Sequence, residues 1–199
     1  MESRAKLAGH PVHQMLIVFP LGLLATAVVF DVIYLVTKNP AWSTSAFYMI
    51  GAGVVTGLAA AVPGTVDWLA IPRGTRAKRI GLIHGVGNVV VIALFALSWV
   101  LRRDQPANPP TEAVVAGLLG AGLSIVTAWL GGELVDRLGV GVDDGAHLDA
   151  PSSLTGLPAV AAGGSGARAG MPRGYAGAER RHVPQPAYAG DDRRGRGSA

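Results

Sequence analysis

The chain has 199 residues, half of them hydrophobic and only 15% charged. Soluble domains carry roughly a quarter charged residues, and here the apolar residues fall in long unbroken runs, so a soluble globular domain fits poorly. There is no cysteine, which removes disulfides, iron–sulfur ligation, thiolate zinc sites and cysteine nucleophiles. The net charge of +4 conceals a nearly uncharged front part and an arginine-rich tail.

In chain order, four segments reach the ~20 apolar residues that a membrane helix needs. The first, 12–36, is interrupted only by Asp31. The second, 46–71, carries no charge before Asp67. The third, 80–101, has His84 as its one titratable group, and the fourth, 113–135, is uncharged until Glu133. None alternates with period two, so helices rather than barrel strands are expected. Arg4, Lys6 and the Ala25-Thr26-Ala27 triplet imitate a signal peptide. However, the apolar run continues through Val28, Val29 and Phe30, so the segment reads as a span. Short connections make consecutive spans antiparallel neighbours. The expected fold is all-α, an integral membrane antiparallel four-helix bundle over 1–138 with a disordered C-terminal tail.

Lysine and arginine set orientation. Arg4, Lys6, Arg73, Arg76, Lys78, Arg79 and Arg137 fall on one side, and Lys38, Arg102 and Arg103 on the other. Both termini are therefore expected in the cytoplasm. Gly53/Gly57/Ala61, Gly81/Gly85 and Gly117/Ala121 place small residues at the spacing of close helix packing. Pro20 and Pro63 should kink their helices. Trp42, Trp68 and Trp99 mark the membrane boundaries. The tail, 139–199, is Gly/Pro/Arg-rich and too poor in large apolar residues to offset ordering entropy. Its Arg180-Arg181 and Arg193-Arg194-Gly195-Arg196 could meet anionic headgroups or nucleic acid. A solvated tail is the expectation, and nucleic acid is not an expected partner.

Ionisable groups inside a membrane are costly and mark candidate sites. The topology brings six to one end: His10, His13, Asp67, His84, Glu133 and Asp136, with Asn88 one turn deeper. His10 and His13 are three apart and would share a helix face. Asp67, Glu133 and Asp136 sit near helix C-termini, where the macrodipole opposes negative charge. They need a compensating cation or donor, and His13, His84, Arg73 and Arg76 are the nearest candidates. Asp31 falls some 27 Å from His13 along a straight helix, and Lys38 or Arg102 could neutralise it.

Three readings of the inner cluster compete. His10, His13 and His84 could ligate haem b or a divalent metal. Histidine with aspartate could relay protons, although four spans without an inverted repeat are few for a transporter. The cluster could also be a structural network pinning helix ends. No hydrolase elbow, metalloprotease helix or phosphate loop is present, so catalytic residues are not expected. Beyond the lipid bilayer, expected partners are a redox protein or a second copy of the chain.

Gly9-His10-Pro11-Val12-His13, then Phe19-Pro20-Leu21-Gly22 and Asp31, resemble the bacterial membrane family called domain of unknown function 2231. So do Pro63-Gly64-Thr65-Val66-Asp67-Trp68-Leu69, Ile71-Pro72, His84-Gly85-Val86-Gly87-Asn88 and Ser98-Trp99-Val100-Leu101-Arg102. The resemblance covers residues 9–136. It implies a four-helix inner-membrane domain with no established activity and, because some relatives are joined to Rieske-type domains, electron transfer. It also implies that His10, His13, Asp31, Asp67, His84 and Asn88 are the characteristic polar residues.

Overall fold

The computed structural model describes residues 1–159. A two-residue antiparallel ladder, β1 (Lys6–Leu7) with β2 (His10–Pro11), precedes five helices: α1 (Val12–Leu16), α2 (Val18–Thr37), α3 (Pro40–Ala70), α4 (Arg76–Arg102) and α5 (Thr111–Gly132). A π-helical turn, Glu133–Arg137, prolongs α5. The spans are Val12–Thr37, Pro40–Ala70, Arg76–Arg102 and Thr111–Arg137, each long and apolar enough to cross a membrane.

Helices α3 and α4 begin before the hydropathic windows because side-chain caps fix their starts. Asn39 accepts from the Ala41 N–H with Pro40 at the first helical position, where proline costs no hydrogen bond. Thr75 accepts from the Lys78 N–H. In the first span Pro20 has no N–H to give Leu16, four residues back. The helix is broken there, α1 ending at Leu16 and α2 starting at Val18. Pro63 lies inside the continuous α3.

Each helix packs on its sequence neighbours, and α5 closes the ring on α2, while α1 lies against α3. The core is a thin seam of Leu24, Ala27, Ala46, Ile50, Val91 and Phe95. The remaining large apolar side chains face outward, among them Val36, Val62, Val89 and Ile125. That apolar surface suits hydrocarbon rather than water.

Small residues set the helix spacing at some of the expected places. A Cβ on Gly53 would stand 2.5 Å from Leu24 Cδ2, and one on Gly57 2.5 Å from Ile92 Cδ1. Gly85 faces open space, as do Gly22 and Gly122. Gly53→Val should therefore cost about 1–3 kcal/mol through overpacking, while Gly122→Val should leave the unfolding midpoint in detergent nearly unchanged.

Residues 139–159, read from composition as the start of the tail, are tied to the N-terminal segment. The Met1 ammonium donates to Gly139 O at 2.9 Å, and the Gly141 N–H donates to Met1 O at 2.9 Å. Lys6 Nζ reaches Asp143 at 2.6 Å and Glu2 at 2.8 Å. Hydrogen bonds and positive-φ glycines (Gly139, Gly141, Gly145) hold this stretch, not apolar burial. The Asp143 and Glu2 carboxylates raise the Lys6 pKa, in that order. The Lys6 ammonium and then the Asp144 N–H lower that of Glu2. The Glu2 contribution is thus present above the usual carboxylate range and lost as pH falls through its lowered value. That of Lys6 is lost only as pH rises through its raised value. The remaining tail, 160–199, lies outside the described residues.

Candidate functional site

Two polar centres sit at opposite ends of the bundle. At the histidine end, His13 and His84 face each other with ring centroids 6.4 Å apart and planes at 86°. His13 Nδ1 is 2.8 Å from Ala60 O on α3, and His84 Nδ1 is 2.9 Å from Thr127 O on α5. A carbonyl only accepts, so both Nδ1 atoms carry a proton, and in the neutral tautomer this leaves the lone pair on Nε2. Asn88 Nδ2 donates to His84 O at 2.9 Å and lies 3.2 Å from His84 Nε2, while its Oδ1 accepts from Thr127 Oγ1 at 3.1 Å.

Glycines make room for both rings. A Cβ on Gly64 would fall 2.7 Å from His13 Nδ1, and one on Gly131 3.2 Å from His84 Cε1. Neither glycine belongs to the small-residue rows expected at helix contacts, although Gly64 lies within the Pro63–Leu69 motif. Their signal was their place one turn beyond the carbonyls that hold the histidines.

The other members of the expected cluster are engaged elsewhere. His10 does not share a helix face with His13: it lies in β2, with Pro11 capping α1, and its Nε2 is 3.2 Å from Ser153 Oγ. Asp67 finds its donors in the N-terminal segment, not in a histidine or arginine. It accepts from Ser3 Oγ at 2.7 Å, Arg4 N at 2.6 Å and Ala5 N at 3.1 Å. Those donors offset its position near the C-terminus of α3. Asp67→Ala should release this strap, read as faster hydrogen exchange over residues 1–11 with the helices still protected. Glu133 pairs with Arg76, one of the four candidate donors, at 2.6 Å. Asp136 lies on the π-helical turn beside an open pocket shared with Trp129, Gly132, Glu133 and Arg137. Among the described residues no group of three or more His, Asp or Glu side chains gathers as a metal site would require.

At the opposite end Asp31 meets Arg102, the second of its two expected partners. Arg102 Nη1 and Nη2 donate to the two Asp31 oxygens at 2.8 and 3.0 Å. Nη2 also reaches Ser98 Oγ at 2.9 Å, and Nε reaches Ser98 O at 3.3 Å. Arg102 is 0% exposed and Asp31 1%. A bidentate, fully enclosed fork of this kind is the arrangement in which a buried charge pair is tolerated.

No curated protein and no solved structure matches this chain. A family profile does, over residues 9–144. The chain therefore belongs to the predicted membrane protein family DUF2231, a family of unknown function, and is a membrane protein with four helices long and apolar enough to span the bilayer.

Proposed function

We propose that this protein is a non-enzymatic subunit of an electron-transfer assembly, holding one haem b between His13 and His84. The observation that carries the reading is the pair of main-chain anchors. Imidazoles that ligate a metal donate their other N–H to a carbonyl or carboxylate, which fixes tautomer and ring direction. Both histidines have that anchor. The two rings also lie close enough together, with centroids 6.4 Å apart, for His13 and His84 to be the residues that would hold one shared group. Two protein ligands suit a centre whose remaining positions a macrocycle fills, rather than a divalent ion needing three or four side chains. With both termini in the cytoplasm the site lies at the cytoplasmic face of a bacterial inner membrane, where it would exchange electrons with a redox protein. The bound group would supply a one-electron couple, and His13 and His84, anchored on Ala60 O and Thr127 O, would be the residues that hold it.

One observation favours the structural reading instead. The Asn88 amide sits on the His84 Nε2 lone pair, so in this geometry the network is closed on itself. An absorption spectrum before and after dithionite separates the two. With haem available during expression, the expected result is a Soret band that shifts on reduction. A flat spectrum would leave the helix-pinning network.

A further inference from the structure

The two hairpins of the bundle share one register. On α2 the buried residues are Leu24, Ala27 and Asp31. On α4, Phe95, Ser98 and Arg102 are buried, each displaced by the 71 residues that separate Asp31 from Arg102. On α3, Ala46, Ile50, Gly53, Ala60 and Pro63 are buried. On α5, Ala113, Gly117, Gly120, Thr127 and Leu130 are buried, each 67 residues later.

The contacts obey the same two shifts. A Cβ on Gly53 would meet Leu24 and Leu23, and one on Gly120 would meet their counterparts Phe95 and Leu94. His13 is anchored on Ala60 O with Gly64 against its ring. His84 is anchored on Thr127 O with Gly131 against its ring. Under a two-fold operation, residue i on one copy meets j on the other and j meets i, so a position that meets its own counterpart marks the axis. Two positions do so. His13 faces His84, and Asp31 grips Arg102.

We infer that the four-helix domain is one helical hairpin present twice, related by a two-fold axis along the bundle. His13 and His84 are then equivalent halves of a single axial site. Asp31 and Arg102 are one position occupied twice. Two identical hairpins would set like charge against like charge at that position. The opposite charges found there make the two copies distinct and fix which pairs with which. Both hairpins begin at the histidine end, so the repeat is parallel rather than inverted. None of this depends on a ligand.

Exchange of the axial charges in the full chain tests it. Asp31→Arg and Arg102→Asp alone should each cut the monodisperse yield in detergent at least tenfold. Together they should restore most of it, because Ala46 O occupies on the first hairpin the place of Ala113 O on the second. Adding Ala27→Ser with Ser98→Ala, which moves the hydroxyl along with the guanidinium, should raise recovery further. A double exchange no better than the single variants, or a hydroxyl transfer that lowers recovery, would overturn the inference. A second measurement needs no core substitution. Because the chain lacks cysteine, spin labels can be placed at the exposed pair Val29/Tyr48 and at its counterpart Val100/Val115. The two distance distributions should coincide, and distributions differing by more than the label's own spread would also overturn it.

Discussion

Replacing Asp31 by leucine should lower the unfolding free energy by roughly 3–5 kcal/mol, the cost of orphaning one member of a buried ion pair. Denaturant titration in detergent, followed by tryptophan fluorescence, reads it. Arg102→Leu should cost less, for a chemical reason. A carboxyl left alone can neutralise itself by taking a proton, whereas a guanidinium stays charged at any working pH. Arg102 would retain only Ser98 Oγ, Ser98 O and Ala113 O, three neutral acceptors for a full charge. The double variant Asp31→Leu/Arg102→Leu should be milder than Asp31→Leu alone, since removing both charges removes the desolvation penalty with them. An Asp31→Leu chain as stable as the parent would mean that the pair contributes nothing to holding α2 on α4.

The fold was legible because lipid imposes one demand on every residue of a span, and four uninterrupted runs answer it. Arg102 was legible as a partner for Asp31 because both fall at the same depth. The histidine end was only half legible. His13 and His84 follow from the topology, but His10 was placed on a helix that starts at Val12, with Pro11 as its cap. The donors for Asp67 come from Ser3, Arg4 and Ala5, a polar stretch in which no periodicity announces a structure. The internal repeat left little trace in residue identity. Across 12–31 against 83–102 the two copies agree only at His13/His84, Val18/Val89, Leu23/Leu94, Ala25/Ala96 and Val29/Val100. Two of these identities, Val18/Val89 and Val29/Val100, lie on the exposed exterior, where lipid accepts almost any apolar residue, so they carry little signal. Across the same stretch the buried pairs Leu24/Phe95, Ala27/Ser98 and Asp31/Arg102 all differ, so there the register is kept by placement rather than by letters.

His84→Ala should abolish the haem spectrum altogether, while Asn88→Ala should keep it. The asymmetry follows from the atoms each side chain offers. The His84 ring packs edge-on against that of His13, its Nδ1–H is committed to Thr127 O, and Nε2 is the ring atom left to serve as a ligand. Asn88 supplies no ligand. Its amide covers His84 Nε2 at 3.2 Å and must withdraw before any metal takes that lone pair. It would keep its bond to His84 O at 2.9 Å as it does so. Removing the amide leaves Thr127 Oγ1 with only Ser124 O, 3.1 Å away, and should cost about 1–3 kcal/mol of stability. Occupancy by haem at equal protein concentration should nonetheless hold or rise. A purely structural network makes the opposite forecast, with Asn88→Ala and His84→Ala destabilising alike and neither changing a spectrum that has no Soret band. Measuring both variants for absorbance and for unfolding midpoint separates them. Loss of stability without loss of a chromophore assigns the pair to helix pinning. Loss of the chromophore in His84→Ala alone assigns the lone pair to iron.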